Sequence, residues 1–91
     1  MLTAYIRAAM RRAKYKIIED SKPIFGEIPE IPGVWANNLT LETCRDELEE
    51  VLEGWLILSL RKGHQIPVID RINLNSGKTR PRQSRKSIAI N

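Results

Sequence analysis

The stretch Thr40–Gly63, TLETCRDELEEVLEGWLILSLRKG, is the only long periodic element in the chain. Leu41, Cys44, Leu48, Val51, Leu52, Trp55, Leu58 and Ser59 recur at spacings of three and four, so they share one face of an α-helix. Glu42, Arg45, Asp46, Glu49, Glu50 and Glu53 take the opposite side. At about 1.5 Å per residue the rod is roughly 35 Å long. An apolar stripe of that length needs a sheet or a partner beneath it.

Both ends of the rod carry stop signals. Thr40 can accept from the free amides of the first turn, and Glu42 sets negative charge at the positive end of the dipole. The third helical position is Thr43 rather than Glu or Gln, which predicts an incomplete capping box. Arg61 and Lys62 fall on the last turn, and Gly63 can take the left-handed conformation that closes a helix. Gly54 costs the helix about 1 kcal/mol relative to alanine, unless it allows a close approach.

Charge is distributed in three blocks. Residues 1–16 carry Arg7, Arg11, Arg12, Lys14 and Lys16 with no acid. Residues 17–53 carry ten acids against Lys22 and Arg45, and residues 54–91 carry eight bases against Asp70. The net charge of +4 hides this segregation. An acidic middle calls for a basic partner or for the chain's own basic ends folded over it; the plain alternative is that solvated faces cluster. With 91 residues the chain makes one domain and buries a modest share of its surface, which favours oligomerisation or a bound partner. No run approaches the ~20 apolar residues of a membrane helix, and no secretory signal stands at the start. The single cysteine, Cys44, has no internal disulfide partner and reads as a small core residue. A cytoplasmic location is expected, with no membrane contact.

In chain order, Leu2–Ala13 is a short amphipathic helix with Leu2, Tyr5, Ile6, Ala9, Met10 and Ala13 on its apolar stripe. It is too short to stand alone and must dock. Lys14–Asp20 and Pro23–Ile28 read as strands joined by the turn Ser21-Lys22-Pro23, hence an antiparallel hairpin. Tyr15 and Ile17 share one face of the first strand. In the second, Ile24, Gly26 and Ile28 face one way, and Phe25 and Glu27 the other. Gly26 inside a strand marks a bulge or a close backbone approach. Pro29-Glu30-Ile31-Pro32-Gly33 makes a rigid connection to a third strand, Val34–Asn37, with Trp35 opposite in phase to Val34 and Ala36. Residues 66–72 form a possible fourth strand, irregular at Pro67. The fold class is therefore α+β: a three- to four-stranded antiparallel sheet with one long helix packed across it and a short N-terminal helix. Residues 1–72 form the folded domain, and the polar, basic residues 73–91 form a flexible tail.

Little in the chain points to catalysis. His64 follows a helix-capping glycine in a turn, with no carboxylate or thiol nearby in sequence. One cysteine and one histidine cannot supply a structural zinc site. Ser76-Gly77-Lys78-Thr79 mimics the end of a phosphate-binding loop, but Ile72 stands where that loop needs glycine and Pro81 breaks the following helix. No cofactor or metal site is expected, and the chain is not read as an enzyme. Lys78, Arg80, Arg82, Arg85 and Lys86 form a basic tail without aromatic residues, suited to salt-sensitive, non-specific nucleic-acid contact or simply to solubility. Trp55 reads as core; Trp35 reads equally as a partner anchor or as structure.

Three motifs in order carry a resemblance. Pro29-Glu30-Ile31-Pro32-Gly33-Val34, then Thr40-Leu41-Glu42-Thr43-Cys44, then Gly63-His64-Gln65-Ile66-Pro67 are similar to the inter-strand turn, helix start and helix exit of the HicB-like antitoxins of bacterial toxin–antitoxin systems. The resemblance covers roughly residues 14–70. It implies a truncated ribonuclease-H-like fold and a partner, a small basic HicA-like ribonuclease toxin whose active site the antitoxin occludes. Many members of that family carry a C-terminal DNA-binding domain; no helix pair follows Ile72 here, so a short form is expected. In the nuclease fold itself, metal-dependent cleavage needs carboxylates converging on paired ions. Here the acids lie on Glu19-Asp20, on the Glu27/Glu30 turn and on the outer helix face, which does not suit that chemistry. The resemblance thus predicts a type II antitoxin; the acidic middle block supplies its candidate partner-binding residues Glu27, Glu30, Glu42, Asp46, Glu49 and Glu53, with Trp35 as a candidate anchor, and the short length favours a homo-oligomer. The alternative is a stand-alone nucleic-acid-binding module using the basic N-terminal helix and the tail.

Overall fold

The computed structural model describes residues 2–75. Five elements follow one another: α1 (Leu2–Arg11), β1 (Lys14–Ile17), β2 (Ile24–Glu27), β3 (Trp35–Asn38) and α2 (Leu41–Lys62). The three strands form one antiparallel sheet in the order β1-β2-β3. Cross-strand register gives each face two rows. Tyr15, Gly26 and Ala36 lie opposite one another, as do Ile17, Ile24 and Asn38; these rows face α2. Lys14, Glu27 and Trp35, and Lys16, Phe25 and Asn37, make the other face, which no element covers among the described residues.

The long helix forms where its sequence places it. Thr40 is the N-cap, and the capping box is complete, contrary to expectation. The Thr43 amide donates to Thr40 Oγ1 at 3.1 Å, while the Thr40 amide donates to Thr43 Oγ1 at 3.2 Å. A threonine hydroxyl reaches back as a glutamate would, because the acceptor, not the charge, closes the box. Thr40→Ala is expected to cost about 1 kcal/mol, read as a lower urea midpoint at unchanged slope. At the other end Gly63 is left-handed (φ 67°). Its amide donates to the Leu60 carbonyl and that of His64 to the Ser59 carbonyl, the paired closure of a Schellman motif.

Helix α2 spans about 33 Å and each four-residue strand about 13 Å, so only part of the helix can lie on the sheet. Its first half lies over β3 and β2. Cys44, Leu48, Leu52, Leu56 and Ser59 are buried, and Val51 and Trp55 half-buried. Two members of the expected stripe are not covered: Leu41 and Leu58 are exposed, and Leu56 takes a core place the stripe did not include. Leu58 is left out because the second half projects past the sheet toward α1 and the chain after α2; Leu41, in the first turn, lies at the open end of the sheet beside Ile17 and Ile24. Gly54 has open space around its Cβ position, so it serves no close approach.

Gly26 does. A Cβ there would lie 2.8 Å from the Tyr15 ring and 3.2 Å from Cys44 Sγ. Tyr15 crosses its paired glycine to reach the core, whereas Ile17, two residues on, is 81% exposed because α2 does not extend over the end of β1. In the connection to β3, the Val34 amide closes on the Ile31 carbonyl with Pro32 second and Gly33 third at φ 93°, the signature of a type II turn. This turn drives Ile31 into the core beside Ile28 and Val34.

Helix α1 ends at Arg11 and buries Tyr5, Ala8 and Ala9; Leu2 is exposed. The Tyr5 hydroxyl donates to the Pro67 carbonyl at 2.6 Å. The expected fourth strand at 66–72 is a turn instead. Ile69 and Ile72 pair with each other across Asp70 and Arg71, both at positive φ, the backbone of a type I′ turn. Nor does the tail begin at residue 73. Leu74 packs on the core, and the Asn75 side chain accepts from the Ile66 amide at 2.7 Å and donates to its carbonyl at 2.9 Å.

Candidate functional site

The acids singled out in the sequence fall on three separate surfaces. Glu42, Asp46 and Glu53 are exposed on α2, and Glu49 is half-buried in the same line. Their spacings of four, three and four residues keep them on one stripe. That stripe continues through Ile57 and Leu60, both exposed, with Leu2 of α1 beside Ile57. A shallow groove between the helices, lined by Ile6, Arg7, Met10, Arg11, Arg45 and Glu49, borders it. From Glu42 to Leu60 the ladder runs about 27 Å, acidic in its first part and apolar in its last.

Glu30 does not join this ladder. Arg12 donates to it at 3.0 Å and to Asp70 at 2.5 Å, and Arg11 reaches Asp70 at 3.4 Å. This cluster ties the α1–β1 corner to the residue just before the type II turn and to the turn at 69–72. The hydrogen bonds from Arg12 hold the Glu30 and Asp70 carboxyls below the usual carboxylate range, and the two carboxylates raise the Arg12 guanidinium. These groups are exposed, so each pair is weak in water and the value lies in the network. The chain's basic N-terminal helix therefore folds back in part on its own acids, and Arg11 and Arg12 are engaged rather than free. Sequence reasoning missed this cluster, since its contacts join residues far apart in the chain.

A pH dependence follows from the lowered carboxyls. The unfolded chain takes up protons near pH 4, before the folded one does. The contribution is thus present above that range and is lost as pH falls through the folded values. Arg12→Met is expected to flatten the acid limb of a stability–pH curve below about pH 4, leaving the neutral region less affected. An unchanged acid limb would show that the network contributes nothing.

Glu27 and Trp35 sit on the uncovered sheet face, opposite in register and on the far side of the sheet from α2. Trp35 is 53% exposed and stacks on Phe25, ring centroids 5.9 Å apart and planes 24° apart. Lys16 Nζ lies 5.2 Å from the centre of the Phe25 ring. Phase alone held the signal for Phe25, because it alternates with Gly26 just as Trp35 does with Ala36. Lys78, Arg80, Arg82, Arg85 and Lys86 lie outside the described residues.

Among the described residues no group of three His, Cys, Asp or Glu side chains is placed to hold a metal ion, and no helix is long and apolar enough to cross a membrane. Cys44 is buried, and that burial, followed by the nearby Glu47 carboxylate, pushes its thiol above the ordinary value, away from nucleophilic use. Glu47 itself accepts from the Asn38 side-chain amide at 2.8 Å, joining α2 to β3.

The fold is similar to the crystal structure of TTHA0281 from Thermus thermophilus, with a TM-score of 0.77 and 41% sequence identity. The match covers 80% of this chain and 90% of that one. No curated protein matches the chain. The UPF0150-like family matches residues 4–67, from the first turn of α1 through all three strands and α2 to the segment that Tyr5 anchors. The chain belongs to the UPF0150-like family.

Proposed function

We propose that the chain is a HicB-like antitoxin that binds a small, basic, HicA-like ribonuclease and occludes its active site. The observation that carries this reading is the ladder on α2. Exposed Glu42, Asp46 and Glu53, with half-buried Glu49 among them, line one stripe, and among the described residues the acids held in ion pairs are Glu30 and Asp70. A row of like charges left facing water repels itself and attracts a cationic partner, raising the encounter rate more than the final affinity. Ile57, Leu60 and Leu2 then supply apolar area next to the charges. The three motifs quoted above support the same reading. Glu27, Glu30 and Trp35 drop out of this contact surface, because the first and last lie across the sheet and Glu30 is held by Arg12.

The engagement of Arg11 and Arg12 also weighs against a nucleic-acid module that relies on the N-terminal helix. The test is to co-express the chain with a small basic HicA-like ribonuclease and to measure co-purification and inhibition of its RNA cleavage. Asp46→Lys with Glu53→Lys is expected to slow association at least about tenfold at low salt, with an unchanged melting temperature and a smaller effect at high salt. Tight, salt-insensitive inhibition by the double variant would remove the ladder from the interface.

A further inference from the structure

We propose that the uncovered face of the sheet is a stacking platform for single-stranded nucleic acid. Trp35, more than half exposed, presents its ring on β3, backed by the half-buried Phe25 ring of β2 in a nearly parallel plane. Lys16, exposed on β1, holds its Nζ 5.2 Å from the Phe25 ring centre, and Lys14 is exposed at the edge of the same face, across Glu27 from Trp35; neither appears in an ion pair among the described residues. Aromatic rings next to cations on an open sheet match a base and its flanking phosphates: the π-face stacks and the lysines neutralise. The Asn37 amide donates to the Lys22 carbonyl at 3.3 Å, which leaves its oxygen as an acceptor toward a base. Glu27 is the acid on this face; it repels phosphate and can accept from an exocyclic amine.

Size decides between this occupant and a protein. Three strands about 4.8 Å apart and four residues long present roughly 10 × 13 Å. A stable protein contact needs about 800 Å² from each partner, several times that area. One or two stacked nucleotides need no more than the face provides. This site lies on the opposite side of the sheet from the acidic ladder, so it stands whether or not the antitoxin reading holds.

The test uses the full chain and a short fluorescein-labelled oligouridine, followed by anisotropy across a salt series. Two lysines predict a slope of log affinity on log salt near about −1.4, whereas the five basic tail residues would give about −3.5. Trp35→Ala is expected to weaken binding about 5- to 100-fold, and Trp35→Phe to restore part of it, each variant being compared well below its own melting temperature. In a Trp55→Phe background, Trp35 fluorescence should be quenched on binding. Asp46→Lys with Glu53→Lys should leave the quenching and the loss on Trp35→Ala intact. Equal affinity of wild type and Trp35→Ala, absence of binding, or a steep slope indifferent to Trp35 would overturn the proposal. So would loss of a protein partner, rather than of RNA, on Trp35→Ala.

Discussion

Leu52→Ala is expected to remove about 3–4 kcal/mol of stability, among the largest effects of any single truncation in α2. Leu52 is fully buried within the core cluster, as are Leu48 and Leu56. Truncating a leucine there forfeits its transfer energy and leaves a cavity that the neighbours fill only in part. At about 0.05–0.15 kcal/mol per residue, the 74 described residues correspond to a total stability of roughly 4–11 kcal/mol. The variant therefore loses a large fraction of it, and the melting temperature should fall by roughly 15–25 °C. Leu58→Ala is the control. Leu58 belongs to the same stripe in the sequence but is 51% exposed, and its loss should cost under about 1 kcal/mol. Equal losses for the two variants would mean that α2 is rotated from the position described.

Gly26→Ala is the second large effect, and it acts by crowding. The added methyl meets the Tyr15 ring at 2.8 Å and Cys44 Sγ at 3.2 Å. Gly26 has ordinary strand geometry, so the restriction is space and not a backbone angle that only glycine tolerates. Overpacking of this kind costs about 1–3 kcal/mol. Loss of glycine's freedom in the unfolded chain returns about 0.4–1 kcal/mol, so a net loss of about 1–2 kcal/mol is expected. The cause can be isolated. In a Tyr15→Leu background the same substitution should cost much less, giving a coupling of at least about 1 kcal/mol in a thermal or urea double-mutant cycle. Additive losses would show that the methyl meets something other than the ring.

What the sequence made legible was local. The ends of α2 were readable from Thr40 and Gly63, because a cap is satisfied by residues three or four positions away. The alternation of Trp35 against Val34 and Ala36 gave the exposed face of β3 for the same reason. The failures concern surfaces supplied from a distance. Leu58 and Leu41 had the right spacing to be core, but spacing does not say where the sheet stops. Ile69 and Ile72 had strand-like composition with no neighbouring strand to pair with, so they paired with each other across a turn. Asn75 falls within the polar stretch that reads as a tail from residue 73, and instead satisfies both backbone groups of Ile66. At the site, helical spacing was enough to align Glu42, Asp46, Glu49 and Glu53. It could not reveal that Glu30 is taken by Arg12, a contact that exists only once α1 has docked.

Helix α2 overhangs the sheet by more than half its length, and this has a consequence for how the molecule comes apart. One end of the rod anchors the strands and the other end anchors α1 and the 66–75 return, so two small clusters share a single beam. Neither cluster can shed its cover without baring leucines that the other needs. The beam should accordingly be the last part to surrender its amide protons, and both clusters should dissolve together in one cooperative step.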